Sequence, residues 1–262
     1  MLKKLIKAVR RAGKIMSAGC TKINQKDGVT NVVTDKDLAV ETFLRRETAK
    51  LFSSVGFIGE EKDFTKDALE KEYTVIIDPI DGTMNFTRNM GLSIISLAVL
   101  KNGSPMYAVL FNPYTDELFS AEKGKGAYLN GKRIFVSDKK KEEGILFTAW
   151  SIYRKEFARQ CFAISESVYS EINDIRRLGA CALELCYLAA GRGDLFFEIR
   201  AYPWDLAAGA FLIEEAGGFV GTLNGEKLTY DKPQPLLAAN SQENFEYLKE
   251  KLTAVLPTVP YQ

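Results

Sequence analysis

Apolar side chains recur along this chain with two different periods. Leu2, Leu5, Ile6, Val9 and Met16 follow helical spacing with lysines and arginines between them, which predicts an amphipathic helix over residues 2–18. A second helical pattern covers 36–53. From residue 55 the pattern shortens into apolar runs: VGFIG (55–59), YTVIID (73–78), LSIISLAVL (92–100), MYAVLF (106–111) and ELFSA (117–121). Turn signals at Asn102-Gly103, Asn112-Pro113 and Asn130-Gly131 punctuate this part, so it reads as an antiparallel meander flanked by helices. After the charged stretch DKKKEEG (138–144) the rhythm changes. Strand GILFTA, a helix near 154–170, strand DIRRL, helix CALELCYLAAG, strand DLFFEI and helix WDLAAGAFLIEEAGG alternate, which argues for α/β. Gly217-Gly218 suits a left-handed C-cap on the last of these. We therefore expect two subdomains, an α+β unit over 1–143 and an α/β unit over 144–262.

The 262 residues are 46% apolar and 26% charged, an ordinary soluble composition and enough chain for two joined units. A net charge of +1 provides no global field to draw in nucleic acid or membrane, so neither is an expected partner. The longest apolar run, Leu92 to Leu100, is far short of the roughly 20 residues of a membrane helix. The N-terminal charges interleave with apolar residues instead of preceding an apolar block, unlike a signal peptide, and the basic face of that helix reads as solvated. Cys20, Cys161, Cys181 and Cys186 show no metal-type spacing and read as reduced and mostly buried, which suits a cytoplasmic protein. The chain has no histidine, which excludes Ser-His-Asp and Cys-His nucleophiles and HExxH zinc sites. Catalysis would have to run on carboxylates, hydroxyls, backbone amides, Lys/Arg or metals.

The stretch IIDPIDGT (76–83) then stands out. An apolar strand runs into Asp78, is interrupted by Pro79, which cannot donate to a ladder, and reaches Asp81, Gly82 and Thr83. A turn at Pro79 would let Asp81 swing back towards Asp78. Gly82 would let backbone approach a ligand, and Thr83 opens a turn whose N–H groups suit an anion. By itself this could be an ordinary Asx-type turn. VGFIG also ends in acid, at Glu60-Glu61, and Pro203-Trp204-Asp205 opens a helix, where Asp205 alone could be a charge complementing the helix dipole. Gathered together, Glu60, Asp78, Asp81 and Asp205 would repel one another, and hard oxygen donors without His or Cys point to Mg²⁺.

The segments GEE (59–61), DPIDGTMNF (78–86), PWDLAAG (203–209) and EAGG (215–218) resemble the signature of the inositol monophosphatase family, within the Mg²⁺-dependent, lithium-sensitive phosphatases. The matching segments run in order through nearly the whole chain. The resemblance implies a layered αβαβα sandwich of the sugar-phosphatase type, a homodimer, and two or three Mg²⁺ ions per site. It implies that Glu60, Asp78 and the carbonyl of Ile80 hold one ion, that Asp78, Asp81 and Asp205 hold a second, and that Glu60 helps hold a weaker third. Gly82 and Thr83 would bind phosphate through backbone N–H, and Asp37 of NVVTDKD (31–37) would pair with Thr83 to orient and deprotonate the attacking water. Lys26 matches a basic residue on a mobile loop near the third ion. RRLGACALEL (176–185), which contains Cys181, resembles the segment facing phosphate and sugar, and Glu198 matches a carboxylate that binds substrate hydroxyls. Three positions depart from the pattern: Asn31, where an acid is often found, Ala180, where a small hydroxyl residue is frequent, and Arg200, where many members have glycine. Arg200 would contact a second phosphate or form a surface salt bridge.

These residues suit phosphoryl transfer, which needs positioning and charge neutralisation more than covalent chemistry. A divalent ion lowers the pKa of a bound water from 15.7 to about 7, so a weak Thr-Asp base suffices. The expectation is a Mg²⁺-dependent phosphomonoesterase of small polyol or sugar phosphates, inositol monophosphate first, with fructose-1,6-bisphosphatase as the alternative and a non-catalytic binding module as a further one. The spacing DxxDGT does not match the DxDx[TV] of enzymes that form an aspartyl phosphate.

Overall fold

The protein is described from a computed structural model, which covers residues 1–19, 22–25, 32–62, 67–150 and 155–256. In chain order the regular elements are α1 (Leu2–Met16), β1 (Ile23–Gln25), β2 (Val32–Thr34), α2 (Asp35–Ala49), β3 (Val55–Gly59), β4 (Tyr73–Asp81), α3 (Thr83–Thr87), β5 (Ile94–Lys101), β6 (Ser104–Asn112), β7 (Glu117–Glu122), β8 (Gly126–Leu129) and β9 (Lys132–Ile134). They continue with β10 (Ile145–Thr148), α4 (Ala158–Tyr169), β11 (Asp174–Arg176), α5 (Cys181–Ala189), β12 (Leu195–Ala201), α6 (Pro203–Glu215), β13 (Phe219–Gly221), β14 (Gln234–Ala239) and α7 (Gln242–Val255).

Alternation along the strands builds five layers. In β5, Ile95, Leu97 and Val99 pack on α1 and α2, where Leu5, Val9, Val40 and Leu44 are fully buried. The intervening Ile94, Ala98 and Leu100 face α5 and α6. The far side of that helix pair is covered by Phe147, Phe196, Leu236 and Ala238 of a second sheet. The opposite face of this second sheet, carrying Leu146, Leu195, Phe197 and Leu237, is sealed by α4 and α7. Period-two apolar strands buried on both faces thus account for the αβαβα sandwich.

The first sheet has seven strands in the order β3-β4-β5-β6-β7-β8-β9, and the second has five in the order β11-β10-β12-β14-β13. The meander is antiparallel from β4 onward, but β3 lies parallel to β4, with Gly59 opposite Ile77. The second sheet is mixed: β10 is parallel to β11 and β12, and β14 is antiparallel to β12 and β13. α6 ends in the expected cap, with Gly217 at φ +92 and the Gly218 N–H returning to the Ile213 carbonyl at 2.9 Å.

Two expectations need correction, and several elements were not foreseen. The chain does not leave the ladder at Pro79; β4 runs on to Asp81, with Asp78 opposite Ser96 and Asp81 opposite Ile94. One extra residue is accommodated as a bulge, where a missing N–H is tolerated. The bulge has a consequence for chemistry. Residues three apart on a regular strand point to opposite faces, and the extra residue returns Asp81 to the side of Asp78. The helix expected near 154–170 begins at Ala158, after a short 3₁₀ turn over Lys155–Phe157. Finally β8, β9, β13, β14 and α7, which the apolar pattern did not single out, complete both sheets and the outermost layer.

Candidate metal and phosphate site

The site is assembled where the two sheets' strand ends meet across the α5–α6 layer. β4 supplies Asp78 and Asp81, which are 2% and 8% exposed. The Ile80 N–H donates to Asp78 Oδ1 at 3.0 Å, holding that carboxylate against its own bulge. Gly82 then takes φ +81, ψ +42, a left-handed conformation that suits glycine, and starts α3. A Cβ at Gly82 would stand 2.9 Å from both the Ala180 Cβ and the Leu92 carbonyl oxygen. Glu60 follows directly on β3, and the parallel pairing of β3 with β4 brings it beside Asp78. The backbone next to it is pinned by α2, where Glu41 Oε2 accepts the Glu61 N–H at 2.9 Å and Arg45 holds Glu41 Oε1 at 2.7 Å.

The other half comes from β12, α5 and α6. Asp205 is the third residue of α6, behind Pro203 at the helix start, and accepts the Tyr202 N–H at 2.8 Å. Glu198 lies on β12 with the same facing as Phe196, towards α5 and α6, and is 6% exposed. The first amides of α5 point at Asp81: Ala182 N–H donates at 2.7 Å, Cys181 N–H at 3.2 Å and Leu183 N–H at 3.4 Å.

One cleft of about 670 Å³, counted to its open mouth, joins these groups. Glu60, Asp78, Ile80, Asp81, Gly82 and Thr83 form one side, and Cys181, Glu198, Arg200 and Asp205 the other. Asp37 does not line the cleft but stands behind Thr83. Its Oδ1 is 3.5 Å from the Thr83 hydroxyl, which donates at 3.0 Å to the Ile80 carbonyl, while its Oδ2 accepts the Thr34 N–H at 2.8 Å as part of the α2 cap. Lys26, Asn31 and Cys20 lie outside the described residues. The other three cysteines are free thiols and buried.

Electrostatics sets what the cleft can hold. Burial drives the Asp78 carboxyl well above the usual carboxylate range, and Glu60, Asp81, Asp205 and Asp37 push it further. Burial moves Asp81 up to about 6, opposed by the amides of Ala182, Leu183 and Cys181. Asp205 is raised by burial, then by Glu198 and Asp81, against the Tyr202 N–H. Among the described residues no three such side chains have closed into a metal cage; the carboxylates turn to backbone donors instead. Buried acids that raise one another's pKa are stabilised in their charged form by a cation between them, and an all-oxygen donor set suits Mg²⁺. The donor chemistry therefore fits the ion.

Five contributors escaped sequence reading. Glu41 and Arg45 brace the Glu60-Glu61 backbone. Asn85 and the fully buried Glu184 hold residues 178–179. Tyr202 lines the cleft, stacks on Trp204 at 4.9 Å and lies under the Arg200 guanidinium at 5.8 Å. Asn85, inside DPIDGTMNF, and Glu184, inside RRLGACALEL, lay in quoted segments without being singled out.

Comparisons with known proteins show the family and the fold. The sequence profile of the inositol monophosphatase family matches residues 1–256. Nus factor SuhB of Escherichia coli strain K12 is 36% identical over 231 residues, 86% of each chain. Inositol monophosphatase 3 of Solanum lycopersicum is 36% identical over 229 residues, 85% of each. The solved IMPase of Thermotoga maritima superposes with a TM-score of 0.85 at 30% identity over 96% of both chains.

Proposed function

This chain belongs to the inositol monophosphatase family, and from that premise we propose that it is a Mg²⁺-dependent phosphomonoesterase of a small polyol or sugar phosphate, inositol monophosphate first. The observation that carries the reading is the convergence of Asp78 and Asp81 from β4 with Asp205 from α6 on one cleft that Gly82 and Thr83 also line.

Glu60, Asp78 and the Ile80 carbonyl would hold one ion, Asp78, Asp81 and Asp205 a second, and Glu60 part of a third. Bound Mg²⁺ would neutralise phosphoryl oxygens and make the attacking water more acidic. The chain's own groups do the rest. The Gly82 and Thr83 amides cradle phosphate. The Thr83 hydroxyl has one hydrogen and two acceptors, the Ile80 carbonyl and Asp37. With that hydrogen directed at Asp37, the Thr83 oxygen can take a proton from water while passing its own to the Asp37 carboxylate. Glu198 accepts from substrate hydroxyls, while Cys181 and the apolar wall of Ala149 narrow the cleft.

Fructose 1,6-bisphosphate is a second candidate substrate, because Arg200 brings a cation into the same cleft. The test is phosphate release from inositol 1-phosphate, fructose 1,6-bisphosphate, histidinol phosphate and nucleotide monophosphates, with Mg²⁺ and after chelation. Arg200→Ala should weaken turnover of the bisphosphate selectively if that is the substrate. Absence of Mg²⁺-dependent release from all of them ends the proposal in favour of a binding role, a reading that relatives named as Nus factors make worth including as an outcome.

A further inference from the structure

Asn85 is 7% exposed and sits two residues beyond Thr83, on α3. Its Nδ2 donates two hydrogen bonds of 2.8 Å, one to the Leu92 carbonyl and one to the Leu178 carbonyl. Two carbonyl acceptors leave no doubt which end of the amide is nitrogen, and they use both of its hydrogens. Leu92 lies just before β5 in the first unit, and Leu178 lies just before α5 in the second, 93 residues from Asn85. Asn85 is thus a bridge between units.

The segment that it grips is held from the other side as well. Glu184 Oε1 accepts the Leu178 and Gly179 N–H groups, the latter at 3.1 Å. Gly179 itself lines the cleft and has φ +79. Immediately after it come the α5 amides that bind Asp81. The Gly82-Thr83 backbone is therefore stapled to the second unit on both flanks, by Asp81 before it and Asn85 after it. Asp205 belongs to that second unit, so the same staples set how far it stands from Asp78.

We propose that Asn85 is a positioning residue. Its bridge between the Leu92 and Leu178 carbonyls fixes the phosphate-binding backbone of one unit against the Asp205 half of the site. This deepens the phosphatase reading and rests on it. A plain structural amide would contribute stability alone, and Asn240 provides the comparison. It is 4% exposed, donates to the Ser137 and Lys139 carbonyls at 3.2 and 2.8 Å, and lies outside the cleft.

The experiment compares Asn85→Ala, the milder Asn85→Ser, Asn240→Ala and the unchanged protein. It reads kcat and KM together with the rise in melting temperature on titrating inorganic phosphate in Mg²⁺. The expected result is a loss in kcat/KM on the order of 10²-fold for Asn85→Ala, a smaller loss for Asn85→Ser, and a higher phosphate concentration for half-maximal stabilisation in both. Asn240→Ala should lower the melting temperature and leave kinetics and phosphate response unchanged. Wild-type kinetics and phosphate response in folded Asn85 variants overturn the proposal, and Asn85→Ser decides it if Asn85→Ala does not fold. If the unchanged protein hydrolyses no phosphate ester, the phosphatase reading fails, while the phosphate titration still decides the positioning role. No stabilisation of the unchanged protein by phosphate and Mg²⁺ overturns both.

Discussion

The Asp81 carboxylate, on β4, is held by the Ala182 N–H, on α5, at 2.7 Å across 101 residues of sequence. A helix N-terminus favours negative charge, and here the first turn of α5 receives a carboxylate from β4. That contact ties the acidic side chains of β4 to the layer from which Asp205 projects, and the chemistry of the cleft follows from it.

Asp205→Asn should abolish most activity and leave the fold intact. Asparagine keeps the shape and can still accept the Tyr202 N–H, but it removes a charge from the proposed ion site. Mg²⁺-dependent phosphate release should fall at least about 10²-fold, by analogy with removal of one transition-state-stabilising group, while circular dichroism is unchanged. Full activity in the variant would contradict the assignment.

Without metal, Asp81 should make the protein less stable as pH rises. Its folded-state pKa is about 6, raised from 3.8 by burial. Between those values the folded state binds the extra proton, so the stabilisation present at lower pH is lost as pH climbs through about 6. Denaturant unfolding in chelator should show the difference between wild type and Asp81→Asn growing in the variant's favour from pH 4.5 to 7. Added Mg²⁺ should reverse the trend, because it binds the charged form.

Gly82→Ala should destabilise and inactivate together. The added methyl meets a φ of +81 and two atoms at 2.9 Å. The left-handed conformation alone costs about 1–2 kcal/mol. Unfolding curves and phosphate release on the same preparation test both effects.

Lithium should inhibit turnover, an expectation that rests on the family resemblance alone. The test range is roughly tens of millimolar, chosen on the logic of competition at a weak ion site. Rates that stay constant across that range, measured at fixed Mg²⁺, would count against the expectation.

Much of this protein was readable from local pattern. Short continuous apolar runs marked β3 to β7, β10 and β12, because strands buried on both faces must be apolar throughout. Gly217-Gly218 announced the end of α6, since few other residues accept that backbone cheaply. The family signature named the acids that the cleft brings together. The short outer elements were harder. β13 is three residues long with the pattern exposed, intermediate, buried, β9 is equally short and β8 has four residues, too brief for a period to register. Pro79 misled because its missing N–H suggested an exit from the sheet, whereas a one-residue bulge absorbed it.

By itself the sequence determined which side chains could do chemistry, through the absence of histidine and the spacing of aspartates, and which stretches had to be buried. The tertiary structure decided where those side chains point. A register shift in β4 turned Asp81 to the side of Asp78, and the packing of α5 and α6 between two sheets set Asp205, Glu198 and the Ala182 amide opposite them. The bulge depends on its pairing with β5, and the bridging amide of Asn85 on a carbonyl 93 residues away. A local pattern carries the propensity of each residue and no record of which distant backbone group will meet it.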